Sequence, residues 1–174
     1  SYDFNDEKFG KFNAALGLRQ PGSAMKPFTY GLAFEKGYTP STVLMDVKTT
    51  FPDQGGKEYI PENYDGKFRG PVQLRFALGN SINLPAVKLL SIIGLRDFLS
   101  KLNDLGLSTF APNDQNLNRF GLSLTLGGGE TTLLDLTSAY SVLAIGGLKH
   151  NISSITDISD FKGKNIFKKV RTQE

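Results

Sequence analysis

Residues 19–31 read "RQPGSAMKPFTYG". How this stretch folds decides both where the first helix begins and what chemistry the chain carries. Pro21-Gly22 marks a turn. Beyond it Met25, Phe28 and Leu32 recur at i, i+3 and i+7, the stripe of a helix with one buried face. Pro27 lies at the edge of the first turn, where a missing N–H costs little, and Gly37 is placed to stop the helix. Ser23 and Lys26 stand three residues apart, so on a helix they project from one face. Two roles compete for Ser23. A serine before a helix is commonly an N-cap; a serine beside a basic amine is a nucleophile.

The rest of the composition narrows the choice. The 174 residues suffice for one core but not comfortably for two. Hydrophobic residues make up 39% and charged residues 21%, the balance of a folded chain. The net charge of +3 is small and dispersed, which excludes a nucleic-acid footprint. The basic run "FKKVRT" at the end reads as a solvated tail. With no Cys there is no thiol nucleophile, disulfide or thiolate metal site. One histidine, His150, leaves no histidine-rich metal site, and neither metal nor cofactor is expected. No apolar run approaches the roughly 20 residues of a membrane span. The start, "SYDFNDEKFG", has no signal-peptide pattern and reads as the interior of a longer polypeptide.

Along the chain the pattern is mainly helical. "TVLMDVK" (42–48) alternates Val43, Met45 and Val47, a short strand. Residues 51–70, rich in Gly, Pro, Asn and Asp, read as a long loop, either functional or anchored by its own side chains. Pro71 is placed as a first helical residue, with Leu74 and Leu78 on one face. "GNSIN" (79–83) interrupts, and Pro85 opens the next helix, whose stripe is Ala86, Leu89, Leu90 and Ile93. After Gly94, Leu95, Phe98, Leu99 and Leu102 form another stripe, ended by Gly106. "STFAPNDQNLNRFG" reads as a polar loop. A helix is expected over 132–145, burying Leu133, Leu136, Tyr140, Leu143 and Ala144, with Thr132 and Asp135 as a capping box. The tail reads as two short strands around a Lys-Gly turn.

Elimination leaves few chemistries. A Ser-His-Asp triad needs a histidine base; only His150 is available, in a glycine-flanked segment after the last helix, and no G-x-S-x-G elbow exists. "LGGGET" lacks the spacing and the lysine of a phosphate loop, so its glycines read as a tight turn and close packing. A serine activated by lysine remains. At the ordinary lysine pKa of about 10.4, about one lysine in 2,500 is neutral at pH 7, so the base has to be buried. In "NSIN", Ser81 and Asn83 lie two apart, and in an extended loop both side chains point one way. Ser81 is then a proton relay, and Asn83 a ligand for Lys26 and a substrate carbonyl. The ordinary alternative is a helix-breaking turn whose Ser81 or Asn83 caps the Pro85 helix.

Taken together, "SAMK" and "SIN" resemble the first two motifs of the S-x-x-K, S-D-N, K-T-G set. The flanking stretches "FNAALGLRQPGSAMKPFTYGLAFEKGYTPST", "PENYDGKFRGPVQLRFALGNSINLPAVKLL" and "LSLTLGGGETTLLDLTSAYSVLAIGG" extend the likeness over nearly the whole chain, in order. The family it resembles is the transpeptidase domain of class A penicillin-binding proteins. That resemblance implies acylation of Ser23 by a D-Ala-D-Ala stem peptide of peptidoglycan or by a β-lactam. Lys26 is the implied base, Ser81 the relay and Asn83 the substrate-orienting group, with a neighbouring stem amine as acceptor. Related D,D-carboxypeptidases and β-lactamases, which hand the acyl group to water, are the alternative enzyme class. A helical module that only binds a partner is the non-enzymatic one.

The third motif is absent. "KTT" at Lys48–Thr50 lacks the glycine and precedes the second motif. The expected architecture is therefore mainly α: the helical lobe of an α+β fold, with most of the central sheet missing and a hairpin near the C-terminus. Its parts are an approach segment (1–22), a helical lobe (23–147) and a hairpin-like tail (148–174), together a partial transpeptidase domain over 1–174. The resemblance further implies a parent anchored at the extracytoplasmic face of a bacterial cytoplasmic membrane, with an upstream glycosyltransferase domain. Alone, the chain is expected to be nearly inactive and to dimerise or aggregate through exposed core surface.

Overall fold

The structure, a computed structural model, describes residues 3–52 and 58–168. Helices dominate it. In order the elements are β1 (Leu18–Arg19), α1 (Lys26–Glu35), β2 (Val43–Asp46), β3 (Phe51–Pro52), β4 (Glu58–Tyr59), β5 (Gly70–Gln73), α2 (Leu74–Gly79), α3 (Asn83–Ile93), α4 (Leu95–Asp104), α5 (Asp114–Arg119), β6 (Thr131–Thr132), α6 (Leu133–Ala144), β7 (Asp157–Ser159) and β8 (Asn165–Lys168). The described strands form antiparallel pairs only: β1 with β6, β2 with β5, β3 with β4, and β7 with β8. No larger sheet occurs among the described residues, and the mainly helical fold expected from the sequence is what the chain adopts.

Helix α3 is the axis. Its expected stripe, Ala86, Leu89, Leu90 and Ile93, is buried in the main core with Met25, Phe28 and Leu32 of the first stretch and Phe98, Leu99 and Leu102 of α4. Its other side is buried too: Leu84 and Val87 pack with Phe51 against Tyr59, Leu122 and Leu126. Apart from the side that carries Lys88, Ser91 and Ile92, the helix is apolar and buried. Consequently the turn before it, Asn80–Ile82, is held at a fixed depth in the molecule.

Several expectations need correcting. Pro71 does not start a helix. It lies in β5 opposite Met45, where a two-stranded ribbon tolerates its missing N–H, and α2 begins at Leu74. Helix α3 begins at Asn83, two residues ahead of Pro85. Strand β2 forms as expected, but its apolar alternation faces outward: Val43 and Met45 are exposed, while Leu44 packs on the core and Asp46 is buried. The polar stretch 108–121 contains a 3-10 turn (Ser108–Phe110) and α5, capped by the Asn113 side chain accepting from the Asn116 amide. The 51–70 loop includes β3 and β4, with 53–57 outside the described residues.

Helix α6 spans nearly the expected range, and Thr132 Oγ1 accepts from the Asp135 amide at 3.0 Å. Its buried face is rotated from the expected one. Leu133 and Leu143 are 57% and 51% exposed and Ala144 is exposed, whereas Ala139 and Val142 are buried. Two contacts set the rotation: Tyr140 meets Phe28 edge-on, with ring centroids 5.1 Å apart, and its hydroxyl donates to the Ala24 carbonyl at 2.8 Å. The tail forms its hairpin around Gly163, with Asp160 Oδ1 accepting the amides of Lys162 and Lys164. Among the described residues no helix is long and apolar enough to cross a membrane.

Candidate active site

Ser23 sits in a 3-10 turn, Gly22–Met25, that runs directly into α1. It caps neither element, and its hydroxyl has no hydrogen-bond partner among the described residues. The N-cap reading of Ser23 is thereby excluded. Gly22 takes φ +58°, a left-handed value that favours glycine. The turn is clamped from two sides. Tyr140 of α6 holds the Ala24 carbonyl. Gly127, in the triple-glycine segment, approaches so closely that a Cβ there would lie 2.2 Å from the Gly22 nitrogen. That contact is why "LGGGET" carries glycine: the segment packs backbone to backbone beneath the serine turn. A buried Thr29–Thr125 hydroxyl pair at 2.7 Å ties α1 to the 3-10 turn (Leu122–Leu126) that leads into Gly127.

Lys26 is the opposite of Ser23. It is 1% exposed. Its Nζ donates to the Ser81 carbonyl at 2.5 Å, to Ser81 Oγ at 3.1 Å and to Asn83 Oδ1 at 2.7 Å. Three acceptors satisfy the three donors of an ammonium. Burial nevertheless penalises the charge and lowers the Lys26 pKa from 10.5 to about 8. About one molecule in eleven then carries the neutral amine at pH 7, roughly two hundredfold more than an exposed lysine.

Ser81 reaches Lys26 by an unexpected route. The segment is not extended: Ser81 adopts φ +51°, the one non-glycine residue with positive φ among the described residues. This left-handed conformation turns its carbonyl and its hydroxyl onto the same amine, and costs of order 1 kcal/mol. Neither Ser81 nor Asn83 caps α3.

The cap comes from Asn63, which the sequence reading passed over. Its Oδ1 accepts the amides of Asn83 (3.0 Å) and Leu84 (3.1 Å). Its Nδ2 donates to buried Asp46 (2.8 Å) and to the Lys67 carbonyl (2.8 Å). The neighbouring Glu62 carbonyl accepts from Asn83 Nδ2 at 2.9 Å. A carbonyl only accepts, so this contact fixes the Asn83 carboxamide with its oxygen toward Lys26. The available signal was "PEN" in a loop too long to be idle. Asn63 anchors that loop with its own side chain.

The four expected site residues thus fall into one connected group and one neighbour. Lys26, Ser81 and Asn83 touch. Ser23 is a single turn of chain away from Lys26 and is not hydrogen-bonded to it. Contacts of this kind tighten when substrate occupies a site. A free hydroxyl on an open turn, a buried amine beside it and a serine–asparagine pair around the amine form an arrangement chemically suited to lysine-assisted acyl transfer.

Comparison with known proteins gives the family. The family described as the penicillin binding protein transpeptidase domain matches residues 3–174. The chain belongs to this family. It is 41% identical over 149 residues to penicillin-binding protein 1C of Escherichia coli, covering 84% of this chain and 18% of that protein. It is 38% identical over 165 residues to penicillin-binding protein 1A of Neisseria gonorrhoeae, covering 94% and 20%. The chain therefore spans about a fifth of the length of these relatives. The crystal structure of penicillin-binding protein 1A from Haemophilus influenzae superposes with a TM-score of 0.81 at 32% identity, over 94% of this chain and 24% of that one. Penicillin-binding protein A of Mycobacterium tuberculosis, in its imipenem acyl-enzyme complex, shares the fold at TM-score 0.78 and 22% identity, over 98% and 43%.

Proposed function

We propose that this transpeptidase chain carries the acylation machinery of a serine D,D-transpeptidase. Ser23 Oγ attacks the penultimate D-Ala carbonyl of a peptidoglycan stem peptide. Neutral Lys26 takes the hydroxyl proton, and Ser81 passes it to the departing D-Ala amine. The Ser23 Oγ–carbon bond forms and the peptide C–N bond breaks. The acyl group then moves to an amine of a neighbouring stem, which makes the cross-link. A β-lactam carbonyl enters by the same attack, but its leaving amine stays tethered in the product. Asn83 spends its oxygen on Lys26 and one N–H on Glu62, so a single N–H remains for a substrate carbonyl. The proposed setting is the extracytoplasmic face of a bacterial cytoplasmic membrane. There a parent protein with its own anchor and glycosyltransferase domain supplies the remaining substrate-binding groups.

The observation that carries this reading is the buried, triply hydrogen-bonded Lys26 with its lowered pKa, one turn from an unpartnered serine. A fluorescent penicillin incubated with the full-length protein tests it. Mass spectrometry of the labelled digest is expected to place the adduct on Ser23, and Ser23→Ala is expected to abolish it. An adduct on any other residue overturns the assignment.

A further inference from the structure

Beneath the loop that reaches Asn83 lies a charged group that the acylation step does not use. Asp46 ends β2 on its inward side, two residues after core-packed Leu44, and is fully buried. A buried carboxylate is costly unless its oxygens are hydrogen-bonded, and here both are. Oδ1 accepts from Asn63 Nδ2 at 2.8 Å, and Oδ2 accepts the Arg69 amide at 3.0 Å. Asp46 therefore clasps the loop 63–69 at its two ends. The cations near it are drawn elsewhere. The Arg69 guanidinium stands 3.8 Å from Oδ2 and bonds Asp65 at 2.7 Å. Lys88, whose charge Asp46 favours, donates its Nζ to the Met45 carbonyl at 2.6 Å. Hydrogen bonds to the loop, rather than a close ion pair, are the main contacts of this carboxylate.

From Asp46 a line of hydrogen bonds leads to the amine of Lys26. Asn63 gives its Nδ2 to Asp46, so its Oδ1 is turned to α3, where it accepts the amides of Asn83 at 3.0 Å and Leu84 at 3.1 Å. The adjoining Glu62 carbonyl accepts from Asn83 Nδ2 at 2.9 Å, and Asn83 Oδ1 accepts from Lys26 Nζ at 2.7 Å. Main chain and side chain of Asn83 are thus both set by residues 62 and 63. We propose that Asp46 is a positioning residue for acyl transfer, holding the Asn83 carboxamide on Lys26 through Asn63 and Glu62. This rests on the acyl-transfer reading above and adds to it a residue that never meets substrate. The place demands a carboxylate. Its two partners, Asn63 Nδ2 and the Arg69 amide, are both donors. An asparagine there has a single acceptor oxygen and turns its NH2 onto one of those donors. Either Asn63 or the Arg69 end of the loop is then released, and a buried donor is left unpaired.

The test uses the full-length protein and a chromogenic β-lactam, with stopped-flow acylation of Ser23 followed over a range of β-lactam concentrations. Asp46→Asn is expected to lower the maximal acylation rate constant about tenfold, the effect of losing roughly one buried hydrogen bond. The half-saturating concentration is expected to stay unchanged, because buried Asp46 does not meet the β-lactam. Combining Asp46→Asn with Asn63→Asp exchanges the two groups. The carboxamide at position 46 then accepts the Arg69 amide and donates to the carboxylate at position 63, whose other oxygen accepts the α3 amides. This double variant is expected to recover most of the rate, since only the Lys67 carbonyl loses its Asn63 donor. Asp97→Asn, which removes an exposed carboxylate paired with Lys36, is expected to change neither value. A normal maximal rate in folded Asp46→Asn overturns the inference even if its melting temperature falls, because Asp46 then serves stability alone. A slowed Asp46→Asn that the double exchange does not improve overturns it too, as does an Asp46→Asn protein without the native circular dichroism. Failure of the unaltered protein to form any acyl-Ser23 overturns instead the acyl-transfer reading on which the inference rests.

Discussion

Ser23 and Lys26 lie a single turn apart in sequence and occupy opposite environments. The serine turn is open, its hydroxyl without a partner among the described residues, and it is held through its backbone by Tyr140 and Gly127 and through the buried Met25 side chain. The lysine is sealed, its amine surrounded by three oxygens, and those oxygens are fixed in turn by Asn63 and Glu62. The difference is instructive. A nucleophile has to move toward a carbonyl and then carry the acyl group, so freedom suits it. A lysine base is helped by being kept from water, because burial is what lowers the Lys26 pKa. Under the proposed mechanism, one short helix start serves both needs by switching from exposed to buried within three residues.

The largest break in this contrast is expected from Lys26→Ala. Loss of the base should slow β-lactam acylation about 10²–10⁴-fold, while far-UV circular dichroism stays that of the unaltered protein. Acylation at the normal rate would show that Ser23 is activated by something else. Next is Gly127→Ala. Its Cβ would collide with the Gly22 backbone, and φ is +84° at that position. A cost of about 1–3 kcal/mol in stability is expected, with slower acylation because the turn beneath Ser23 shifts. Thermal melting and stopped-flow acylation measured on the same sample check both parts.

Asn63→Ala sharpens the other side. It removes the cap of α3 and the support of Asn83, a loss of about 1–2 kcal/mol. Acylation should fall with it, by less than for Lys26→Ala because the nucleophile and the base remain. A melting temperature that drops while acylation is untouched would make Asn63 purely structural. The smallest effect separates the two uses of Ser81. Ser81→Ala and Ser81→Gly both delete the relay hydroxyl, but glycine relieves the positive φ. The glycine variant should be about 1 kcal/mol more stable than the alanine variant, with acylation equally slow in both. Equal stabilities would mean that the left-handed turn carries no strain.

Much of this was legible in the sequence, and the failures are physical. The stripes of α3 and α4 read correctly because their periodicity is that of helices buried along their length. Strand β2 was legible as a strand, but its inward side was not, because that side holds Asp46, a buried carboxylate tied to Asn63 and the Arg69 amide. The face of α6 was misjudged because Tyr140 and Phe28 set its rotation, and no local pattern records a contact made 112 residues away. The motif residues Lys26, Ser81 and Asn83 came together as expected. Asn63 did not announce itself, since a residue that caps a helix from a loop 20 positions upstream leaves no spacing signal.

The central claim is that burial turns Lys26 into a usable base for Ser23. The pH dependence of the acylation rate constant, measured on the full-length protein from pH 6 to 10.5 with a β-lactam, tests it most directly. The neutral amine is the active form, so the rate should climb about tenfold per pH unit below the Lys26 pKa and level off above it, with the midpoint near the lowered value of about 8. A rate still climbing past pH 10, as an exposed lysine would give, or one flat across the range, would contradict the account.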